Sequence, residues 1–393
     1  MLPLDGMLVV SVEQAVAAPL ATRQLADLGA RVVKIERPDG GDFARGYDHS
    51  VHGLASHFVW LNRSKESLAV DLKSSAGKKI IEALLARADV FVQNLAPGAA
   101  KRHGLDATGL VARRPRLVAV DLSGYGATGP FRDRRAYDLL VQSETGLVSV
   151  TGSPDEPAKA GIPVADIAAG MYVFSGVLAA LLRRERTGVG AALDVSMFDS
   201  VIEWMGHQVQ HSLHTGKQPP RMGVSHPAIA PYNRYPTADG LEIMLGIQND
   251  REWRRLAVDL LGDPALGTDP AYATNVARTA NRDRVDELVA AATKQLTAVD
   301  LIARLDAAGI ANARLNELPE VLEHPQLTAR NRWHDVGSPA GPLATLLPPV
   351  VFPGEPPRLA AVPGLGQHTD QVLTELGYPG AEIAALRSSG VVK

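Results

Sequence analysis

Short β-rich runs alternate with helix-length stretches through the first half of this chain, and that alternation restricts the fold more than any other feature. Residues 7–12 (Met-Leu-Val-Val-Ser-Val) form an apolar run, 19–28 read as a helix opened by Pro19 and closed by Gly29, and 31–36 are again β-rich. That is a βαβ unit. The pattern repeats with a strand at 68–72, a helix at 74–87, and strands at 90–93 and 117–122. A helix at 166–186, a strand at 192–195 and a helix from 197 to about 214 follow. Alternation of this kind predicts an α/β domain with a parallel sheet covered on both faces by helices.

The alternation stops at 216–232, where Gly216, Pro219, Pro220, Gly223, Pro227 and Pro231 make a linker. A smaller α+β domain is expected over 233–334, with antiparallel strands at 233–236 and 241–245 and helices near 250–261, 282–293 and 298–308. The Pro-rich tract at 339–357 reads as a return. A helix around 369–376 then rejoins the large domain, so that residues 1–215 are completed by 335–393.

Composition narrows the chemistry. The chain of 393 residues is long enough for two domains and buries its core without covalent staples. It contains no cysteine, which excludes thiol nucleophiles, thiolate metal sites and disulfide frameworks. Covalent chemistry must therefore use oxygen or nitrogen. A net charge of −3 without a long basic run gives no field for nucleic acid. Charges interrupt the apolar stretches before the roughly 18 residues of a membrane span, and the start Met1-Leu-Pro-Leu-Asp-Gly6 lacks the basic and apolar regions of a signal peptide. A cytoplasmic protein with neither nucleic-acid nor membrane partners is expected.

Gly161-Ile-Pro-Val-Ala-Asp166-Ile-Ala-Ala-Gly170-Met-Tyr172 places one carboxylate where a Gly/Pro-rich turn enters a long apolar helix. The helix ends on Arg183, Arg184 and Arg186 ahead of Gly188, the polarity its macrodipole favours. Asp166 thus lies at the positive end, where backbone N–H groups favour the ionised form. It is the candidate nucleophile; the alternative is an N-cap worth about 1 kcal/mol to the helix.

Further blocks stand in register with that segment. They run from Val16-Ala-Ala-Pro19 through Val33-Lys-Ile-Glu-Arg37-Pro38, Leu68-Ala-Val-Asp-Leu-Lys73 and Val92-Gln-Asn94-Leu-Ala-Pro-Gly98. Leu122-Ser-Gly-Tyr-Gly-Ala-Thr-Gly-Pro130 follows, with Tyr137-Asp138 behind it, and beyond Asp166 come Arg184-Glu-Arg-Thr-Gly-Val-Gly190 and Leu193-Asp-Val-Ser-Met-Phe-Asp199. Together they resemble the class III CoA-transferases, the family that also contains formyl-CoA transferases and α-methylacyl-CoA racemases. The resemblance implies a Rossmann-like large domain with a parallel sheet, a smaller α+β domain, and an interlocked homodimer. It makes Asp166 the nucleophile and places CoA contacts at Val16, Ala17, Arg37, Leu72, Lys73, Asn94, Leu95, Arg102 and Tyr137. It implies no tightly bound cofactor, with coenzyme A and acyl-CoA as substrate and a free carboxylic acid as the second partner.

The residues themselves agree with parts of this. Ala15, Ala17 and Ala18 carry little side chain, so the backbone of their turn can approach a bound group and its N–H groups can meet an oxyanion. Arg37, Lys73 and Arg102 are isolated cations at ends of expected elements, where a 3′-phosphoadenosine pyrophosphate needs them. Leu95 replaces an aromatic residue common in the family. Tyr137 stands where the racemase branch has a histidine, and a phenol near pKa 10 is a poor base at neutral pH. That substitution favours acyl transfer over α-proton abstraction; a racemase and a CoA-binding protein without chemistry remain the alternatives.

Other motifs are set aside on context. Gly124-Tyr-Gly126-Ala-Thr-Gly129 matches the dinucleotide fingerprint, but Pro130 and the charged Arg132-Asp-Arg-Arg135 replace the helix that should receive a pyrophosphate. Glu36 is expected in a salt bridge or at the surface. His207, His211 and His214 are spaced as one amphipathic helix face, with no acid placed to make a metal site. Of the glycine-rich lid of formyl-CoA transferases only Gly246 remains. The run Ser56-His-Phe-Val-Trp-Leu-Asn-Arg63-Ser-Lys-Glu66 and the Ile247-Gln-Asn segment resemble the branch that pairs succinyl-CoA with C4 to C5 dicarboxylates such as itaconate, mesaconate or citramalate. Arg45 is the candidate partner for a distal carboxylate.

Overall fold

The β-branched runs become strands because a sheet buried on both faces needs stiff apolar side chains pointing both ways. In the computed structural model, which describes residues 1–393, β1 (Leu8–Val12), β2 (Arg31–Glu36), β3 (Lys65–Ala69), β4 (Val90–Gln93), β5 (Val118–Ser123) and β6 (Ala191–Ser196) pair in parallel. Their order is β3-β2-β1-β4-β5-β6. The order reverses direction between β1 and β4, which makes a topological switch point where open α/β sheets leave a crevice at the carboxyl ends of the strands.

Between the strands run α1 (Ala17–Asp27), α2 (Ser56–Asn62), α3 (Ser75–Leu85), α4 (Ala99–His103) and α5 (Ala107–Arg113). After β5 come α6 (Asp138–Glu144), α7 (Leu147–Val150) and α8 (Val164–Thr187), and after β6 come α9 (Met197–Trp204) and α10 (Gly206–Thr215). One face of the sheet has an apolar centre: Val10, Val12, Val33, Ile35, Leu68 and Phe91 pack with Ile80, Ile81 and Leu84 of α3 and Leu110 of α5. The other face carries α1, which also packs on α8.

Two expectations need correction here. The third strand is 65–69 instead of 68–72, because Ser74 N-caps α3 through the Gly77 N–H and the chain turns at Asp71 to reach it. The helix expected at 197–214 breaks at Met205, next to Gly206, whose backbone freedom weakens a helix interior. By length and apolar composition α8 could cross a membrane. Here its buried face, including Ala168, Ala169, Val173 and Val177, packs on α1 and on the strands β5 and β6.

The chain divides into two compact units. The larger takes Met1–Leu147, Ala160–Val209 and Thr328–Lys393; the smaller takes Val148–Lys159 and Gln210–Leu327. The division therefore falls at 209 and 327 rather than at 215 and 334, and a short segment ahead of α8 joins the small unit. That unit has a three-stranded antiparallel sheet, β7 (Tyr232–Pro236), β8 (Glu242–Gly246) and β9 (Ala311–Arg314), the last not foreseen from the sequence. Helices α11 (Asp250–Asp259), α12 (Asn275–Ala280), α13 (Arg282–Thr293), α14 (Ala298–Ala308) and α15 (Leu318–Leu322) accompany it, around a core of Trp253, Leu256, Val285, Val289, Leu301 and Leu305.

After α16 (Pro325–Ala329) the chain makes a hairpin, β10 (Trp333–Val336) with β11 (Leu343–Leu346), and then α17 (Thr369–Glu375) and α18 (Gly380–Ser388). Val372, Leu373, Ile383 and Leu386 enter the core against the apolar sheet face, and Val392 bridges to Val70.

Candidate active site

Two turns meet at the switch point. The one after β1 runs through Glu13–Val16 into α1, and the one after β4 begins at Asn94. Asn94 ties them together: its Oδ1 accepts the Gln14 N–H at 2.9 Å and its Nδ2 donates to the Gln14 carbonyl at 2.8 Å. Ala15 takes φ 62°, a left-handed conformation that costs a residue with a Cβ about 1–2 kcal/mol. No glycine in the turn offers that conformation freely.

Asp166 lies in the first turn of α8, half-buried, with the N-terminus of α1 against it. Gly170 permits this approach, since a Cβ there would meet the Ala17 carbonyl oxygen at 2.6 Å. The carboxyl is not the helix cap. Asp138, opening α6, supplies that role across space: its Oδ1 accepts the N–H groups of Ala165 at 2.7 Å and Asp166 at 3.2 Å, while its Oδ2 takes a hydrogen bond from Gln142. Asp166 is thereby released from capping.

Burial pushes the Asp166 carboxyl up to about 7; the nearby Asp138 charge adds to the rise, and the Ala17 N–H, turned toward the carboxylate, opposes it. The expectation of a readily ionised group at a helix N-terminus is corrected in this respect. The N-terminal N–H groups it relied on are taken by Asp138, which brings a second negative charge with them. Asp166 is poised between its two protonation states at neutral pH. Tyr47 shares this environment; burial raises its phenol to about 12, and Asp42, Asp166 and Tyr137 act in the same direction.

Beneath the β1 turn lies a layer of buried charge that the sequence reading missed. Lys65 donates to Glu13 Oε1 at 2.6 Å, and Lys34 lies 2.7 Å from Asp42 Oδ2 and 3.5 Å from Glu13 Oε1, with all four side chains out of contact with solvent. Burial brings Lys65 down to about 7 against the pull of Glu13, and Lys34 adds to the drop. Glu36 is buried too: it accepts from Arg45 through both oxygens and from Ser67 at 2.6 Å. Burial alone would raise it, yet the Arg45 hydrogen bonds and the Lys34 charge hold it near 2. The salt bridge expected of Glu36 is present, but in the interior. Arg45, fixed by Glu36 and the Pro363 carbonyl and stacked 3.7 Å from the centre of the Phe58 ring, is not free to take a substrate carboxylate. The signal was readable in principle, since Lys34 and Glu36 alternate with Val33 and Ile35 in a strand that must be buried on both faces.

The sheet gathers most of the remaining sequence candidates at one edge. Val16 and Ala17 follow β1, Arg37 follows β2, Leu72 and Lys73 follow β3, and Asn94 and Leu95 follow β4, all at carboxyl ends of parallel strands. Arg37 and Lys73 are exposed; Arg37 holds the Gly41 carbonyl, and Arg102 is exposed on α4 beside Gly98. Val16 and Ala17 are buried, Leu72 and Leu95 are half-buried, and Tyr137 is 62% exposed immediately before Asp138. The Gly124–Gly129 segment is followed by turns, with no helix until Asp138. In the small unit Gly246 ends β8 beneath the Tyr232 ring.

Comparison with known proteins places this arrangement. The family model described as CoA-transferase family III matches residues 4–369. A succinate–glutarate CoA-transferase from Agrobacterium fabrum is 35% identical over 95% of this chain and 96% of its own length. A succinyl-CoA–D-citramalate CoA-transferase from Chloroflexus aurantiacus is 33% identical over 99% of this chain and 98% of its own. Among solved structures, a CAIB/BAIF family protein from Brucella suis superposes with a TM-score of 0.82 at 35% identity, covering 95% of this chain and 99% of that one.

Proposed function

The chain belongs to CoA-transferase family III, and from that premise we propose that it moves CoA from succinyl-CoA to a C4 to C5 dicarboxylic acid, with Asp166 as the nucleophile. The carrying observation is a half-buried carboxyl, poised near neutrality, with the Ala17 N–H directed at it across the α1–α8 contact. The relatives named for glutarate and citramalate support the substrate class.

In this reading an Asp166 oxygen attacks the thioester carbonyl, the C–S bond breaks, and a mixed anhydride and CoA thiolate result. The thiolate attacks the aspartyl carbonyl and releases succinate, leaving an aspartyl-CoA thioester. The incoming carboxylate attacks that thioester, expelling the thiolate and forming a second anhydride. The thiolate then takes the new acyl group and restores the Asp166 carboxylate. Each tetrahedral oxyanion forms beside the Ala17 N–H, where a fixed donor is worth about 10²–10³ in rate. Arg37, Lys73 and Arg102 would meet CoA phosphates, and Val16, Leu72, Asn94, Leu95 and Tyr137 would complete the nucleotide site. No resident cofactor enters the scheme.

The partner subunit in this reading is a second copy. Met171 (38% exposed), Ala179 and Leu182 (56%) lie with Ser175 along the uncovered side of α8, a largely uncharged stripe that a like chain would bury.

The test is to incubate the protein with succinyl-CoA and a panel of free acids, and to follow product acyl-CoA by mass spectrometry. Hydroxylamine should inactivate only after exposure to acyl-CoA, with the adduct at Asp166, and Asp166→Ala should keep CoA affinity with less than about 1% of the activity. Retained activity in that variant rejects the mechanism. Rapid solvent-deuterium incorporation at the α-carbon of a 2-methylacyl-CoA, dependent on Asp166, would move the assignment to a racemase.

A further inference from the structure

The buried charge layer takes no part in the reaction as written, yet it holds the turn after β1 at both Glu13, whose carbonyl accepts from Lys34 Nζ at 3.4 Å, and Ala15. Asp42 Oδ1 accepts the Ala15 N–H at 3.1 Å, and Ala15 is the residue held left-handed with no glycine to ease it. Asp42 is itself fixed on every side. Lys34 lies 2.7 Å from its Oδ2, the Ala44 N–H is bound to its Oδ1 at 2.9 Å, and its own N–H donates to Glu36 Oε1 at 3.0 Å. With 1% exposure it has no solvent to replace any of these partners.

Two residues beyond Ala15, the Ala17 N–H faces Asp166. The orientation of that N–H follows from the dihedrals of Ala15 and Val16, because successive peptide planes are rigid and only φ and ψ connect them. Residues kept in sparsely populated backbone regions persist only where surrounding structure over-determines them. Here the surroundings are Asp42 on one side of the turn and the Asn94 clamp on Gln14 on the other.

We propose that Lys34 and Asp42 are positioning residues of the transfer reaction, holding Ala15 in its left-handed conformation and so aiming the Ala17 N–H at the Asp166 carboxyl. The inference rests on the reading of Asp166 as the nucleophile. Neither side chain touches a reacting atom; their action is through the backbone of one turn. Asp138, Tyr47 and Tyr137 are the other titratable groups around Asp166; the Asp42 variants also remove a charge that acts on Tyr47, and only the backbone role predicts that Ala15→Gly restores what they lose.

Asp42→Ala removes the acceptor for the Ala15 N–H and should lower kcat about 10²-fold, the effect of losing one oxyanion donor, with KM for acyl-CoA within about threefold. Asp42→Asn keeps an oxygen at that point and should retain kcat within about tenfold. Adding Ala15→Gly to Asp42→Ala should recover at least about tenfold, because glycine adopts positive φ without penalty; a merely structural aspartate predicts no such rescue. Should Asp42→Ala fail to fold with Lys34 unpaired, Lys34→Met combined with Asp42→Ala removes both buried charges and carries the same expectation.

A substrate-free readout separates this claim from the function beneath it. Carbodiimide labels the protonated carboxyl, so the pH midpoint of Asp166 labelling, followed by peptide mass spectrometry, should move up in Asp42→Ala and return with Ala15→Gly. A wild-type protein inert toward acyl-CoA but showing that shift and return would reject the proposed function and keep the positioning role. An unchanged midpoint and kcat in Asp42→Ala, or a loss confined to KM, overturns the positioning role.

Discussion

At the scale of single residues, Asp166 pays in stability for readiness. Its folded pKa near 7 stands above an unfolded value of about 3.9. Between those values the native state holds a proton that the unfolded chain has released, so stability falls as pH rises through that window and levels off above pH 7. Asp166→Asn should therefore stabilise the protein by about 2–4 kcal/mol at pH 8 and by little at pH 4. Thermal unfolding at the two pH values checks it, and an equal gain at both would show that charge burial is not the cause. Catalysis carries the opposite sign. In the proposed mechanism the attacking form is the carboxylate, so kcat/KM should rise about tenfold per pH unit below pH 7 and flatten above it. Asp138→Asn keeps the oxygen that caps α8 but removes the neighbouring charge, and should shift that limb to lower pH. A limb that stays in place would mean that burial alone sets the Asp166 pKa.

Among elements, the α1–α8 contact decides the site. Small residues line it, and Gly170 is the point at which no side chain fits. Gly170→Ala forces a Cβ into the Ala17 carbonyl, and overpacking of this kind costs about 1–3 kcal/mol. Because Ala17 carries the donor facing Asp166, the same shift should reduce kcat by about tenfold or more while CoA affinity changes little. Calorimetry with steady-state kinetics on one preparation would test both halves; a stability loss with kcat intact would separate helix spacing from donor placement. The short helices α4 to α7 left little trace in the sequence, being under three turns and without a full apolar period. The long α8 and the strands β1, β2 and β4 were legible because burial imposed their pattern over their whole length.

For the whole molecule, the second copy proposed along α8 makes a direct prediction. Sedimentation at micromolar concentration should give a dimer, and Leu182→Asp, which puts a charge into the largely uncharged stripe, should shift it toward monomer. A wild-type protein that sediments as an active monomer would discard the proposed interface. The C-terminal segment belongs to the large unit in a physical sense: Val372, Leu373, Ile383 and Leu386 fill the apolar sheet face, and the Lys393 N–H donates to the Ala69 carbonyl.

The sequence by itself determined the parallel sheet, the two-part organisation, the exclusion of thiol chemistry and the family, because each is written in local periodicity, in residue type or in ordered motifs. It also placed Asp166 at the start of α8. The tertiary structure decided what that position means. Burial raises the carboxyl, and Asp138, 28 residues earlier, takes the cap and adds to the rise; Ala17, from another helix, turns its N–H toward it; Asp42, from a loop, accepts the Ala15 N–H and is paired with Lys34 of a neighbouring strand. A pKa and a left-handed residue without glycine both depend on which groups are close in space, and the distance in sequence between those groups leaves no periodicity to read.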